Sequence, residues 1–219
     1  VACSACDLGK FKATNGSGSC MACAAGEYQN RTGGTGCMGC PGNSSSAVLS
    51  DALTDCLCNV GFEGADGSTC SACGVGYYKA VNGSSPCLGC DTGTYLDVRG
   101  GTVCSSCPSN TSSLGMSDAV TDCICLVGSE GSDGAACSPC AEGTFKAVNG
   151  SGSCTLCAAG TYLNASGGSV CLLCPANTIS GNGSVLIESC ICEAGFEAGR
   201  DGVACSACDL GKFKATNGS

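Results

Sequence analysis

The chain is 219 residues long, carries 26 cysteines and 36 glycines, has neither histidine nor tryptophan, and holds a formal net charge of −9. That balance argues against nucleic acid, whose phosphates need clustered Lys and Arg, because the nine cations here are scattered. The 43% hydrophobic share is inflated by Cys and Ala, and five Phe with five Tyr cannot supply a core of ordinary size. Cross-links must therefore contribute much of the stability, at roughly 3 kcal/mol for a disulfide closing a loop of about 15 residues. Cysteine at this density is the usage of disulfide scaffolds, which persist in oxidising compartments, so the protein is expected to be secreted or displayed on a surface. Neither a signal peptide nor an apolar run of 18 residues occurs in the sequence.

The chain opens on Cys3-Ser-Ala-Cys6 and keeps returning to that CxxC step, at Cys70, Cys137 and Cys205. The final return is of a different kind: Val203 to Ser219 repeats Val1 to Ser17 residue for residue, at an offset of 202, whereas the internal copies agree only in framework. Three diverged repeats thus make one longer period of an array, divided as 1–69, 70–136 and 137–204, with 205–219 beginning the next. Each repeat follows one pattern: CxxC, thirteen residues, CxxC, thirteen, CxxC, fifteen, CxC, then eleven or twelve to the next repeat. The near-constant spacing across junctions implies packed neighbours in an elongated, solenoid-like rod.

In chain order, the first segment of each repeat reads Gly-x-Phe/Tyr-Lys-Ala-x-Asn-Gly-Ser, at Gly9–Ser17, Gly76–Ser84 and Gly143–Ser151. An aromatic strand running into Asn-Gly signals a hairpin turn. Tyr77 occurs in one repeat only. The second segment carries Gly-x-Tyr and then Gly-Gly, around Tyr28, Tyr95 and Tyr162, and predicts another short two-stranded ribbon. The third opens on Pro41, Pro108 or Pro175, passes through a Ser/Asn-rich loop, and closes on Cys56-Leu-Cys58, Cys123-Ile-Cys125 or Cys190-Ile-Cys192. A turn with Asp-Gly follows, at Asp66, Asp133 and Asp201. No stretch has helical periodicity beyond a turn or so. The expected fold is small and disulfide-rich, mostly irregular with short β-hairpins.

The run CxxC, Gly-x-Tyr/Phe, CxxC, Gly-x-Tyr, Gly-Gly, CxxC-Pro, CxC and Gly-Phe-Glu resembles the ephrin-receptor-like cysteine-rich repeats, over the whole chain and three times. The middle repeat departs from the ending with Gly128-Ser-Glu130. The resemblance implies tandem extracellular EGF-like or tumour-necrosis-factor-receptor-like modules, found in receptor ectodomains and in long surface proteins of protists and algae. From the EGF ending it implies Cys58 with Cys70, Cys125 with Cys137 and Cys192 with Cys205. The other CxC member would then cross, giving Cys37–Cys56 and Cys23–Cys40, Cys104–Cys123 and Cys90–Cys107, Cys171–Cys190 and Cys157–Cys174. Cys6–Cys20, Cys73–Cys87 and Cys140–Cys154 would be simple loops. A serial alternative has Cys23–Cys37 and Cys40–Cys56. Both leave Cys3 and Cys208 unpaired within these residues, as positions that look to a neighbouring repeat.

Zinc rivals disulfides as a use for CxxC, but a continuous ladder of such steps without His does not group into separate four-ligand sets. The ten CxxC copies likewise leave no single redox candidate. Glu63 with Asp66, Glu130 with Asp133 and Glu197 with Asp201 recur, but the calcium-binding EGF signature is missing and Asp-Gly is an ordinary turn, so no cofactor is expected. Nine of eleven asparagines sit in Asn-x-Ser/Thr: Asn15, Asn30, Asn43, Asn82, Asn110, Asn149, Asn164, Asn182 and Asn217. Asn15, Asn82, Asn149 and Asn217 share one turn in successive repeats, which points to a recurring glycosylated surface. Catalysis finds no support: there is no His for base work, no Gly-x-Ser-x-Gly elbow and no phosphate-cradling loop. The reading that results is a structural subunit of an extracellular glycosylated fibre whose partners are copies of itself. A ligand-binding or adhesive stalk of a receptor-like protein is the other reading.

Overall fold

The computed structural model describes residues 3–199 and 204–218. Among them are twelve two-stranded antiparallel sheets and no α-helix, with short 3-10 turns at Leu53–Asp55, Val120–Asp122 and Ile187–Ser189. Eleven of the hairpins pair two residues with two, and Phe196–Ala198 pairs with Cys205–Ala207 over three. Regular structure is this short because 36 glycines and disulfides that each close a loop of 12 to 16 residues interrupt any longer ladder.

The chain forms two compact units. The first, Val1–Ser106 with Leu114–Ala119, holds six hairpins. Lys10–Phe11 pairs with Met21–Ala22, Glu27–Tyr28 with Met38–Gly39, and Ser44–Ser45 with Leu57–Cys58. Phe62–Glu63 pairs with Ser71–Ala72, Tyr77–Tyr78 with Leu88–Gly89, and Thr94–Tyr95 with Ser105–Ser106. The second unit, Cys107–Ser113 with Val120–Ser219, repeats the scheme from Thr111–Ser112 with Ile124–Cys125 to the Phe196 ribbon.

In each CxxC step past the first, the two residues between the cysteines form the return strand of a hairpin: Met21–Ala22 lies between Cys20 and Cys23, and Leu172–Leu173 between Cys171 and Cys174. This corrects the expectation that Asn-Gly makes the hairpin turn. Phe11 sits opposite Met21, so residues 12–20 bridge the strands as a broad loop, with Asn15-Gly16 inside it. In the five Asn-Gly-Ser sequences the glycine of the Asn-Gly pair alone has positive φ, as at Gly83 (126°), while a two-residue type I′ turn needs it at both central positions.

Twelve disulfides run in series: each first cysteine of a step closes back on the step before, and each second cysteine opens the next loop. The crossed scheme is thereby overturned in all three repeats. Cys23 bonds Cys37 and Cys40 bonds Cys56, and the same holds for Cys90–Cys104 with Cys107–Cys123 and for Cys157–Cys171 with Cys174–Cys190. The crossed loop would be only slightly longer, a difference of about 0.2 kcal/mol in closure entropy, so chain entropy cannot choose. Strand direction does. Residues three apart on an extended segment project to opposite faces, and with Tyr28 opposite Met38 and the Cys40 N–H on the Gly26 carbonyl (2.9 Å), Cys37 is the member turned toward Cys23. Cys6–Cys20, Cys58–Cys70 and their counterparts Cys73–Cys87, Cys125–Cys137, Cys140–Cys154 and Cys192–Cys205 also bond, and Cys3 and Cys208 are free.

The core of this ladder is sulfur and backbone. Beside the cystines, the position after the aromatic is the deep one in five hairpins: Gln29, Lys79, Leu96, Lys146 and Leu163 are all buried, and Lys79 is only 2% exposed. The aromatics before them are shallower, with Tyr78, Tyr95, Phe145 and Tyr162 half-buried.

Candidate functional site: a disulfide ladder with asparagine clasps

What the ladder can do follows from how each hairpin is fastened to the next. The glycine that opens a hairpin is the first fastening. Gly61 N–H donates to the Lys79 carbonyl at 2.8 Å, the Gly61 carbonyl accepts from Cys73 N–H at 2.9 Å, and its φ is 78°. A β-carbon there would stand 2.1 Å from the Gly100 carbonyl oxygen, so a side chain at 61 is impossible without moving a neighbouring loop. Gly128 repeats this in the second unit, with 2.0 Å to the Gly167 carbonyl oxygen.

Lysine supplies the second fastening. Lys79 Nζ donates to the Phe62 carbonyl of the preceding hairpin at 2.7 Å and to the Gly83 carbonyl of its own loop. Lys146 does the same with Ser129 (2.8 Å) and Gly150, and Lys214 with Phe196 (3.0 Å) and Gly218. A buried ammonium is tolerable only when it is hydrogen-bonded, and here carbonyls from two hairpins take two of its three donors. Sequence reasoning read these cations as scattered. Their signal was the invariant register of Lys after Phe or Tyr within the repeat.

Carboxylates form the third. Glu63 Oε2 accepts from Cys87 N–H at 2.8 Å and Glu130 Oε2 from Cys154 N–H at 2.7 Å. These are two of the acidic residues weighed for calcium, and each has a structural use. Asp66 and Asp133 each keep one buried oxygen without a partner, and no group of three metal-ligating side chains occurs among the described residues. Glu197 is exposed, and its companion Asp201 lies outside the described residues. The twenty-four cystine sulfurs are committed to each other and offer no thiolates.

The asparagines divide. Asn82 Oδ1 accepts from Val60 N–H at 2.9 Å while Gly83 N–H donates to the Cys58 carbonyl at 2.8 Å, so Asn-Gly clasps the lead-in of the preceding hairpin from two sides. Asn149-Gly150 clasps Cys125 and Val127, Asn182-Gly183 clasps Cys157 and Ala159, and Asn217-Gly218 clasps Cys192 and Ala194. Asn43 behaves otherwise: it sits at φ 61°, and its amide nitrogen Nδ2 donates to the Cys70 carbonyl at 3.0 Å. Asn110 has φ 58° with Nδ2 on the Cys137 carbonyl at 2.7 Å. Asn15, Asn30 and Asn164 are exposed.

Taken together, these features define a tandem array of small disulfide-stapled hairpins, in which an ammonium clip at Lys79, Lys146 and Lys214 and an amide clasp at Asn82, Asn149, Asn182 and Asn217 reinforce the disulfide series. Residues 149–190 match the family described as tyrosine-protein kinase ephrin type A/B receptor-like. That stretch, running from the Asn149 clasp to Cys190, is an ephrin-receptor-like cysteine-rich repeat, and the same framework precedes it twice. No curated protein matches the chain. No helix among the described residues is long and apolar enough to cross a membrane.

Proposed function

We propose that this chain is a structural, non-catalytic segment of an extracellular fibre or surface appendage, in which the 202-residue period that carries Cys3 to Cys205 is the assembling length. The observation that carries this reading is the return of Val1–Ser17 as Val203–Ser219 without a single change, beside internal copies that keep only the framework. Copies that have diverged from one another become identical again only at the longer spacing, which is the mark of a period repeated as a whole. Support comes from the junctions: the same glycine, lysine and asparagine fastenings recur from repeat to repeat, so one period can continue into another by the contacts already in use. Disulfides at this density suit an oxidising environment outside the cell. N-linked carbohydrate and neighbouring copies of the chain are the partners.

A receptor-like stalk is the second reading, favoured by the ephrin-receptor-like match at residues 149–190. Negative-stain imaging of the natural assembly separates the two. Uniform filaments with no terminal specialisation support the fibre. Particles ending in a distinct globular head sink it in favour of the stalk.

A further inference from the structure

The sequons look alike in sequence, and all nine asparagines are exposed as residues, so exposure does not sort them. The amide does. In Asn82, Asn149, Asn182 and Asn217 the oxygen Oδ1 is held by a backbone N–H two residues beyond a cysteine, at 2.8 to 2.9 Å. With Oδ1 turned to the ladder, Nδ2 is the amide atom directed away from that bond. In Asn43 and Asn110 the polarity is reversed, and Nδ2 is the atom spent on the ladder.

Asn177 gives the reason for the reversal. It occupies the same place in the third repeat, with φ 62° and Nδ2 on the Cys205 carbonyl at 2.9 Å, yet Ile179 stands where a sequon needs Ser or Thr. The asparagine therefore serves the turn whether or not a sequon surrounds it. Asparagine tolerates the left-handed region better than other non-glycine residues, and its amide here imitates a strand edge: Cys70 N–H donates to the Gly42 carbonyl (3.0 Å) while the Cys70 carbonyl accepts from Asn43.

We propose, on the extracellular reading above, that N-linked oligosaccharide is carried at the clasp asparagines Asn82, Asn149, Asn182 and Asn217 and not at Asn43 and Asn110. In the transfer, Nδ2 bonds to the anomeric carbon of a lipid-pyrophosphate-linked oligosaccharide as that carbon's bond to the phosphate oxygen breaks; one amide proton is lost to base and the lipid pyrophosphate departs. At a clasp the modified nitrogen is not the bonded atom, and Oδ1 keeps its N–H, so glycosylation and the native fold coexist. At Asn43 the sugar would replace one of the two hydrogens on a nitrogen already 3.0 Å from the carbonyl of Cys70, a residue 2% exposed, and would crowd the hydrogen bond made by the other, so the folded protein selects against it.

The test is site-by-site occupancy in the full chain secreted from eukaryotic cells, read by releasing the glycans with peptide N-glycosidase in heavy-oxygen water, which marks each formerly glycosylated asparagine as labelled aspartate. The expected result is occupancy at the four clasps on the order of tenfold above that at Asn43 and Asn110, the scale set by disturbing one well-placed hydrogen bond. Comparable occupancy at Asn43 and Asn110 overturns the inference while leaving the extracellular reading intact. Carbohydrate at no site overturns both. The variant Ile179→Thr sharpens the test by completing a sequon at Asn177: secreted protein still bare there supports the inference, and a glycan there overturns it. Asn82→Asp keeps the acceptor oxygen and removes the acceptor nitrogen, so it should lose one glycan and secrete normally.

Discussion

Two kinds of left-handed backbone occur in this ladder, and only one of them demands glycine. At Gly61 and Gly128 the chain has positive φ and another loop's carbonyl stands about where a β-carbon would be. At Leu49 and Met116 φ is equally left-handed, 70° and 64°, yet side chains are present, and their N–H groups donate to the carbonyls of Cys23 (3.1 Å) and Cys90 (2.8 Å). The third repeat fills that same place with Gly183, at φ 70° with its N–H on Cys157. The backbone conformation is thus dictated by the hydrogen bond between hairpins. Glycine is obligatory only where conformation and close approach coincide; elsewhere a side chain costs about 1–2 kcal/mol and is tolerated.

The largest effect expected from breaking this contrast is at Gly61. Gly61→Ala should cost more than about 3 kcal/mol, combining left-handed strain with a loop that must move, and should abolish secretion of folded protein. Gly26→Ala is the control: φ is 84° but nothing lies within 4 Å of the added carbon, so its cost should stay near 1 kcal/mol. Equal losses in urea titrations of the two would remove close approach from the explanation.

Next in size is the covalent rung. Replacing Cys23 and Cys37 together by Ser should lower stability by about 3 kcal/mol, and peptide mapping without reduction should recover Cys40 still joined to Cys56. A Cys23–Cys40 peptide from the unmodified chain would refute the serial ladder.

The ammonium clips come third. Lys79→Met keeps the apolar stem but leaves the Phe62 and Gly83 carbonyls without their donor, and should cost about 2 kcal/mol. Lys12→Met should cost less, because Lys12 donates to Gly16 (2.7 Å) and Gly18 within its own exposed loop. Identical losses, measured by the denaturation midpoint, would mean that bridging two hairpins adds nothing.

The smallest effect has the opposite sign. Leu49→Asn puts a left-handed-tolerant residue at a position 48% exposed, where little packing is lost, and should raise stability by about 1 kcal/mol. A loss instead would show that the Leu49 side chain contributes packing that exceeds its backbone strain.

Some of this was legible in the residues. Cysteine spacing carried the disulfide character and the β-only shortness of the elements, and together with the glycine and aromatic positions it carried the ephrin-receptor-like likeness, because a periodic framework with few apolar residues leaves no other source of order. Aromatic Gly-x-Tyr/Phe segments marked the first strands correctly. Their partners were missed because strand pairing is a non-local choice, and Asn-Gly, a strong local turn signal, was outvoted by the return strand inside CxxC.

What the sequence by itself determined is therefore the inventory and its period: which cysteines pair somewhere, how often, and where asparagines fall in sequons. Tertiary structure decided everything that depends on direction. Register chose Cys37 over Cys40 as the partner of Cys23, since loop lengths so similar differ by almost nothing in entropy. The meeting of consecutive hairpins buried Lys79 and Lys146, which composition counts as surface charge. It also turned the amide of Asn43 one way and that of Asn82 the other, because an asparagine has a donor end and an acceptor end, and only the neighbouring hairpin's backbone says which of them is needed.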